Sequence, residues 1–349
     1  EWSDIKGVAY RPRDGKGSEV VLTSPRPLVK ADEIPWPAYH LLPLHIYWQY
    51  SAGIMGPDSP PELMRSQRRM SIVTEFGCIK NPACGYCSHL GNSASDLSLI
   101  YGCEVKGPNV RYMSAKRVVE HVAWLSKTYH VDFVSILDEN FTGNPKRTWE
   151  ICDLLDEYEL TGHIHFGCLG SVDTINLPLL RRLYDAGCRY LSMGGEVQDD
   201  QLLKELGKGT TCKQNQDALD ACFKAGIQPT QTWVLGLPNQ TPESVLATTQ
   251  YFVENGMVAS PFIATGYPGT RYFNEQKEKI LKQHGWNGEE KTKLDAFRHL
   301  LLSFEDATSL STNLSDWTDW ELLGVQQLMK ERDIQRLKLW VEDKKRENL

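Results

Sequence analysis

The chain has 349 residues, of which 41% are hydrophobic and 24% are charged, and its formal net charge is −7. This acidic balance argues against a nucleic-acid binder that relies on a diffuse positive field. No apolar run reaches the roughly 18 residues that a membrane-spanning helix needs, and the first residues, EWSDIKGVAY, lack the basic and apolar regions of a secretory signal. We therefore expect a cytoplasmic protein without a membrane span.

The first 65 residues are rich in proline and aromatic residues, which alternate in stretches such as IPWPAYHLLP (34–43). Flexible linkers are rarely so aromatic. We therefore predict that residues 1–65 form an irregular connector that wraps across a folded domain. Within it, VAYRP (8–12) and EVVLTSP (19–25) are predicted to pair as a hairpin with DGKG (14–17) at its turn.

From residue 70 onward, apolar stretches typical of strands alternate with helical patterns. The predicted strands are SIVTEF (71–76), VDFVSIL (131–137), HIHFGCL (163–169), CRYLSM (188–193), IQPTQTWVLGLP with its exit loop (227–238) and MVASPFIAT (257–265). The predicted helices begin at Ser114, Asn144-Pro145, Leu177, Lys213 and Thr241-Pro242. Strands joined by helical crossovers are parallel. The pattern predicts an α/β fold that is a partial (β/α)6 TIM-like barrel, with a doubly wound sheet as the alternative.

Beyond residue 275 the pattern becomes helical and charged. KLDAFRHLLLSF (293–304) and WELLGVQQLMKERDIQRLKLWVEDKK (320–345) are each predicted to form one helix that covers the open side of the barrel. The domain boundaries that we predict are a connector (1–65), a barrel core (66–275) and a C-terminal helical region (276–349).

Polar residues and glycines follow the predicted strands at the carboxyl edge, where α/β folds place their active sites. These stretches are Asp138-Glu139-Asn140, Gly194-Gly195-Glu196, Gly236-Leu237-Pro238 and Gly266-Tyr267-Pro268-Gly269. Glycines there allow a ligand to approach the backbone closely, and carboxylates accept hydrogen bonds from ammonium or hydroxyl groups. The alternative is that the polar residues are only loop and turn residues.

Three of the nine cysteines lie close together in CIKNPACGYC (78–87), directly after the first predicted strand. The odd total, in a chain without an export signal, argues against a disulfide framework. The C-x5-C-x2-C spacing of Cys78, Cys84 and Cys87 suits a soft metal ion or an iron–sulfur cluster. A redox pair of Cys84 and Cys87 alone would leave Cys78 without a role.

The number of clustered cysteines distinguishes two kinds of site. A structural zinc ion requires a fourth ligand, and the candidates for it are His89 and Cys103. An iron–sulfur cube held by three cysteines leaves one iron open to bind a substrate. The position at the carboxyl edge favours the reactive cluster. A zinc-stabilised α/β binding protein without catalysis remains the alternative from another class.

With these residues in view, the chain resembles the radical S-adenosylmethionine (SAM) superfamily. The resemblance covers about residues 65–275 and rests on Cys78, Cys84 and Cys87 with Tyr86 before the last cysteine, on LDENFTGN (137–144), on LYDAGCRYLSMGGE (183–196), on TWVLGLPNQT (232–241) and on TGYPGT (265–270). Residues 7–43 are similar to the connector that follows the cobalamin domain in the cobalamin-binding subgroup.

This chain departs from the family pattern in two places. The first cysteine gap has five residues where three are usual, and GSVD (170–173) has Ser171 where an arginine is usual. At the second position the resemblance therefore implies no arginine contact to the carboxylate of SAM or to the substrate.

The resemblance implies cofactors and residue roles. Cys78, Cys84 and Cys87 would hold a 4Fe–4S cluster whose open iron binds SAM. One electron, supplied by a donor such as ferredoxin or flavodoxin, would cleave SAM and release a 5′-deoxyadenosyl radical. This radical would abstract hydrogen from a small-molecule substrate. Glu196, after Gly194 and Gly195, would hold the ribose hydroxyls of SAM. Asp138 or Asn140 would lie near its amino group. The adenine would be flanked by Tyr86 and by the backbone of Leu235, Gly236 and Pro238.

Two reactions are consistent with the subgroup. The first is cobalamin-dependent methyl transfer to an unactivated carbon, and the second is oxidation or cyclisation of a tetrapyrrole or lipid-like substrate without methylation. The chain contains no D-x-H-x-x-G cobalamin-ligand motif. We therefore expect any cobalamin domain to lie upstream of Glu1. A methylthiotransferase is disfavoured by the helical C-terminal region and the acidic charge.

Overall fold

A sheet of six parallel strands forms the centre of the protein in a computed structural model. The structure describes residues 2–12, 20–51, 60–80, 83–87, 98, 104–257, 260–304 and 308–347. The strands are β1 (Ala9–Tyr10), β2 (Val21–Leu22), β3 (Arg69–Ile72), β4 (Glu75–Gly77), β5 (Val110–Tyr112), β6 (Phe133–Ile136), β7 (His165–Gly170), β8 (Cys188–Glu196), β9 (Gln228–Leu235) and β10 (Phe262–Ile263). The sheet order is β3-β6-β7-β8-β9-β10, and every neighbouring pair is parallel. The predicted partial barrel is thus confirmed.

Helices connect the strands and extend the fold at its carboxyl end. They are α1 (Leu44–Ser51), α2 (Pro61–Arg65), α3 (Ala115–Tyr129), α4 (Pro145–Glu157), α5 (Leu177–Asp185), α6 (Asp200–Leu206), α7 (Cys212–Ala225), α8 (Pro242–Glu254), α9 (Arg271–Gln283), α10 (Glu290–Ser303), α11 (Asp319–Glu331) and α12 (Ile334–Glu347). None of the helices described is long and apolar enough to cross a lipid bilayer.

Local capping fixes where the crossover helices begin. The side chain of Asn144 accepts a hydrogen bond from the Arg147 backbone N–H, and Thr241 accepts one from the Ser244 N–H. Ser114 caps α3 in the same way. Each of these residues satisfies a backbone donor that the first helical turn leaves free, and each stands where the sequence predicts a helix start.

The first predicted strand is wrong in its extent, because the run 71–76 is broken. β3 ends at Ile72, and the chain then leaves the parallel sheet to form β4, which pairs antiparallel with β5. The break is held by Asp138 beyond β6, whose carboxylate accepts from the backbone N–H groups of Thr74 (2.5 Å) and Glu75 (3.0 Å). Cys78 therefore follows β4 rather than the first strand of the central sheet.

The connector is folded against the barrel. β1 and β2 form the predicted antiparallel pair, while its predicted turn (14–17) lies outside the described residues. The irregular character predicted for residues 1–65 is wrong for α1 and α2. Trp36 stacks on His121 of α3, with 5.0 Å between ring centroids, and the Arg117 guanidinium lies 4.5 Å from the centre of the Trp36 ring. The aromatic residues thus attach the connector to α3.

Two helical features differ from the sequence prediction. The single helix predicted over 320–345 is wrong, because Arg332 adopts a left-handed conformation (φ 60°) that ends α11 before α12 begins. The short helix α6 was not predicted. Asp199 caps it by accepting from the N–H groups of Gln201 and Leu202. This helix returns the chain over the carboxyl end of β8.

Candidate active site

The three clustered cysteines lie half-buried on one segment after β4. The Cys87 backbone N–H donates to the Cys84 carbonyl (2.9 Å), which closes Cys84–Cys87 into a tight turn. We refer to the whole segment from Cys78 to Cys87 as the cysteine turn. Residues 81–82 and the predicted fourth-ligand candidates His89 and Cys103 lie outside the described residues.

Glycines fix the position of this segment at two points. Gly77 has a φ of +101°, and a Cβ there would lie 2.1 Å from the Asn109 carbonyl oxygen, so only glycine fits before Cys78. Within the cysteine turn, the Gly85 N–H donates to the Leu206 carbonyl (2.9 Å), and the Gly85 carbonyl accepts from the Tyr272 N–H (2.9 Å). A Cβ on Gly85 would lie 2.6 Å from the Tyr272 ring. The end of α6 and the start of α9 therefore hold the cysteine turn between them.

Two lysines stand near the cysteine sulfurs. Burial raises the pKa of the Cys78 and Cys84 thiols, while the charge of Lys80 opposes this effect at Cys78 and that of Lys208 opposes it at Cys84. Among the described residues, no three His, Cys, Asp or Glu side chains gather closely enough to hold a single metal ion. The cysteine turn thus combines shielded sulfurs with two cations that favour their thiolate form.

Glu196 lies at the end of β8 with its side chain only 6% exposed, and it forms an ion pair with Lys208. Tyr86 of the cysteine turn lies close to the Glu196 carboxylate, and burial, followed by the charge of Glu196, raises the pKa of Tyr86 well above its usual value. Burial works against the charged form of Lys208, but the charge of Glu196 keeps the Lys208 pKa above its ordinary value. The structure thus brings Tyr86 and Glu196, which the sequence predicted, close to each other, and it adds Lys208, which the sequence did not predict, as the partner of Glu196. The signal available was a lysine between two glycines that adopt left-handed backbone, Gly207 and Gly209.

Gly194 and Gly195 leave room for the side chains around Glu196. A Cβ on Gly194 would lie 2.1 Å from Glu196 Oε1 and 2.3 Å from Lys208 Nζ. A Cβ on Gly195 would lie 2.8 Å from the Trp233 ring. The two predicted glycines therefore permit the Glu196–Lys208 pair to lie against the β8 backbone.

Asp138 is fully buried and turned toward the break between β3 and β4. Its carboxylate accepts from the Thr74 hydroxyl as well as from the two backbone N–H groups, and Arg147 Nη1 lies 3.8 Å from Asp138 Oδ2. Burial raises the Asp138 pKa, against the lowering effect of Thr74 and Arg147. The structure thus gives Asp138 a set of partners within the chain that positions β4.

Asn140 and Glu75 lie beside each other in the region of Cys78. The Asn140 backbone N–H donates to Glu75 Oε1 (3.2 Å), and Asn140 Oδ1 accepts from the Ser171 N–H (3.1 Å). Both side chains are almost fully buried, and Glu75 Oε2 and Asn140 Nδ2 have no hydrogen-bond partner among the described residues. Burial and the neighbouring Asp138 raise the pKa of Glu75 to about 8. Glu75 was not predicted, although a carboxylate within an apolar strand is a signal that could have found it.

The position where the family usually has an arginine, Ser171, also lies in this region. The Ser171 hydroxyl is hydrogen-bonded to Asp173, and Asp173 Oδ2 accepts from Lys80 Nζ at 2.6 Å. Both members of this ion pair are largely shielded from solvent. A cation from the lengthened cysteine loop therefore stands next to the serine.

The predicted adenine-flanking residues divide into two groups. The Leu235 side chain lies in a buried cluster with Trp233, away from the cysteine turn, whereas Leu237 belongs to the cluster on which Cys84 and Tyr86 pack. The Gly236 and Leu237 N–H groups donate to the Gln240 side chain (2.7 and 3.2 Å). Pro238 is half-buried farther along the loop. The loop is thus held by Gln240, and its residue Leu237 shares a buried cluster with Cys84 and Tyr86.

Comparisons with known proteins match the same part of the chain. The family profile of the radical SAM superfamily matches residues 73–252, just over half of the chain. An uncharacterised methyltransferase of Pyrococcus horikoshii is 30% identical over 273 residues, which cover 78% of this chain and 52% of that protein. An anaerobic magnesium-protoporphyrin IX monomethyl ester cyclase of Rubrivivax gelatinosus is 28% identical over 49% of this chain and 31% of its own length. The chain therefore spans about half the length of the first relative and about a third of the second.

A solved structure has the same fold. The cobalamin-dependent S-adenosylmethionine radical enzyme OxsB, with aqua-cobalamin bound, aligns with a TM-score of 0.57 over 98% of this chain and 61% of that chain, at 16% identity. The range that the family profile matches contains Cys78, Cys84, Cys87 and Glu196. From the parallel half-barrel, the cysteine turn at its carboxyl edge and this match, we conclude that the chain belongs to the radical SAM superfamily.

Proposed function

We propose that the chain holds a 4Fe–4S cluster on Cys78, Cys84 and Cys87 and uses it to cleave SAM. The observation that carries the proposal is the cysteine turn, whose three half-buried thiols stand at the carboxyl edge of a barrel of this superfamily. When bound, the cluster supplies one electron to SAM, and the resulting 5′-deoxyadenosyl radical takes hydrogen from a substrate. The protein's part is to orient SAM and to exclude water.

The residues around Cys78 fit the amino-acid part of SAM. Glu75 Oε2, a buried acceptor, and Asn140 Nδ2, a buried donor, each lack a hydrogen-bond partner among the described residues. An unpaired buried polar group is costly. A carboxylate of SAM would accept from Asn140 Nδ2, and an ammonium beside Glu75 Oε2 would favour the charged form of Glu75, whose pKa burial raises to about 8. Of the two residues considered for the amino group, Asp138 already accepts from Thr74 and Glu75, and Asn140 Oδ1 already accepts from the Ser171 N–H. We therefore propose Glu75 as the partner of the ammonium and Asn140 as the partner of the carboxylate.

The remaining SAM contacts are proposed at the other side of the cysteine turn. Glu196, over Gly194 and Gly195, is proposed to accept from the ribose hydroxyls while Lys208 holds its charge in place. Tyr86 and the backbone of residues 235–238 are proposed to flank the adenine. Leu237 supports this arrangement because it shares a buried cluster with Tyr86.

We propose that the overall reaction is cobalamin-dependent methyl transfer to an unactivated carbon of a small molecule. The support is the relative of Pyrococcus horikoshii, whose name is that of a methyltransferase, together with the fold shared with a cobalamin-dependent enzyme. The cobalamin would be held by residues outside this chain. We further propose a one-electron donor such as ferredoxin or flavodoxin, and a cytoplasmic setting.

A second candidate is oxidation or cyclisation without methylation. The relative of Rubrivivax gelatinosus, named as a magnesium-protoporphyrin ester cyclase, favours it. The two candidates differ in what happens to the methyl group of SAM. Methyl transfer with methylcobalamin present consumes a second SAM as a methyl donor and leaves S-adenosylhomocysteine. Oxidation or cyclisation leaves 5′-deoxyadenosine and methionine, without S-adenosylhomocysteine.

The cluster proposal is tested by anaerobic reconstitution. We expect about four irons and four sulfides per chain and formation of 5′-deoxyadenosine from SAM with a chemical reductant. Both are expected to be lost when Cys78, Cys84 and Cys87 are all changed to alanine. Cys212→Ala is the control, because this half-buried thiol lies on α7 outside the cysteine turn. One tightly held zinc and no iron would instead support the zinc-stabilised binding protein.

A further inference from the structure

The inner face of the half-barrel is built from small and hydroxyl-bearing residues. In the register of the sheet, Ser71 pairs with Ser135, Ser135 with Gly167, and Gly167 with Tyr190. One level higher, Ser192 pairs with Thr230. A closed TIM barrel ordinarily fills its interior with bulky branched side chains. Here the small side chains leave the interior open.

The open interior is a cavity of about 1290 Å³. Its lining includes Ser71, Ser135 and Thr230 of the strands, and the connector helix α1 adds aromatic side chains to one side of it. These aromatic residues are Tyr47, Trp48 and Tyr50. Trp48 is fixed there by its indole N–H, which donates to the Arg69 carbonyl (2.9 Å). The connector thus completes a chamber that the strands alone leave open.

The chamber is poor in charge. Among the described residues that line it, Arg69 is the only charged one. Its guanidinium donates to the Ser66 carbonyl (3.0 Å), and the nearby Asp132 carboxylate compensates part of its charge. The other polar groups of the lining are neutral. A charged ligand would lose its hydration there without gaining a free counter-charge, whereas apolar rings would pack on the aromatic residues.

The chamber reaches the predicted SAM site. Thr232 lines its upper part and is the register partner of Gly194. Directly over Gly194 lie Glu196 Oε1 and Lys208 Nζ, and the Glu196 carboxylate lies close to Tyr86 of the cysteine turn. A molecule that fills the chamber up to Thr232 would therefore extend to the Glu196–Lys208 ion pair.

We infer that the chamber binds the body of the substrate, and that this substrate is a bulky, uncharged and largely apolar molecule containing rings. That the bound molecule is the substrate of the reaction rests on the proposed function, whereas its binding in the chamber does not. Hydroxyl groups of Ser71, Ser135 and Thr230 are available to polar substituents, and α1 packs on the ring faces.

The test uses the cluster-free protein and two fluorescent probes that share one skeleton. N-phenyl-1-naphthylamine is neutral, and 8-anilinonaphthalene-1-sulfonate carries one negative charge. We expect the neutral probe to bind with at least tenfold higher affinity. Equal or tighter binding of the sulfonate would overturn the inference, because it would mean that the binding site offers a free positive charge.

Two variants locate the binding. Ser71→Phe and Ser135→Phe each place a ring in the chamber from a different strand, and each is expected to weaken binding of the neutral probe at least tenfold. Thr128→Phe, on the exposed surface of α3, is the control and is expected to bind as wild type. If either phenylalanine variant unfolds cooperatively, and so is folded, but binds the neutral probe as tightly as wild type, the inference is contradicted. Because the probes need neither cluster nor SAM, failure here and failure of SAM cleavage are separate results.

Discussion

Lys208 and Glu196 form a buried ion pair over Gly194, with side chains that are 12% and 6% exposed. A carboxylate in such a place is tolerated because its partner compensates the lost hydration. Replacing Lys208 by Met removes that compensation and leaves the buried Glu196 carboxylate without an opposite charge beside it. We expect the Lys208→Met change to lower the free energy of unfolding by about 3–5 kcal/mol, measured with urea on the cluster-free protein.

A matched lysine serves as the control for this change. Lys213 forms an ion pair with Asp217 on α7, but its side chain is 80% exposed. Because solvent screens such pairs, Lys213→Met is expected to change stability by less than about 1 kcal/mol. Adding Glu196→Gln to Lys208→Met is expected to restore part of the loss. Equal effects at Lys208 and Lys213 would show that the Glu196 carboxylate does not need its partner.

Gly85 is expected to be indispensable for the position of the cysteine turn. A methyl group on Gly85 would lie 2.6 Å from the Tyr272 ring, which contacts in folded proteins do not allow. The Gly85→Ala change should therefore displace the cysteine turn from the end of α6 and lower the iron content after reconstitution by at least half. Iron and sulfide analysis of the anaerobically purified protein measures this.

The control for Gly85 is a glycine with free space around it. A Cβ on Gly324 of α11 would meet nothing within 4 Å, so Gly324→Ala should leave the iron content unchanged. Combining Gly85→Ala with Tyr272→Ala removes the obstructing ring and should recover iron. Full iron content in Gly85→Ala alone would mean that the cysteine turn tolerates the shift.

The elements that could be predicted are those that local chemistry decides. Asn144 and Thr241 indicate their helices because a cap needs only the next few residues. The alternation of strands and helices predicts a parallel sheet because a helical crossover leaves no other direction. The clustering of three cysteines indicated the cysteine turn for the same local reason.

The parts that could not be predicted depend on partners far apart in the chain. Nothing in the apolar run 71–76 indicates the break after β3, because the break is held by Asp138 from beyond β6. The same bond explains why Asp138 faces Thr74 instead of the cysteines. Lys208 meets Glu196 only because the unpredicted helix α6 returns the chain over β8.

Asp138 is expected to act on stability. Asp138→Asn preserves its size but removes the charge opposite Arg147, which is itself buried. We expect a loss of about 3–5 kcal/mol in the free energy of unfolding, as for a broken buried pair. Asp153→Asn is the control, since Asp153 is 62% exposed in its ion pair with Arg182. If both changes are equally mild, the break between β3 and β4 does not depend on the Asp138 charge.

His121 is expected to make stability depend on pH. Burial first, and then the charge of Arg117, lower the His121 pKa from 6.5 to about 4. The unfolded chain therefore binds more protons in that interval, so stability is retained above pH 6.5 and falls as the pH drops toward 4, by roughly 3 kcal/mol at most. His121→Phe should flatten this slope, while His163→Phe, at an exposed position, should not. The free energy of unfolding is measured with urea on the cluster-free protein between pH 4 and 8. If its dependence on pH is the same in His121→Phe as in wild type, groups other than His121 cause the loss of stability.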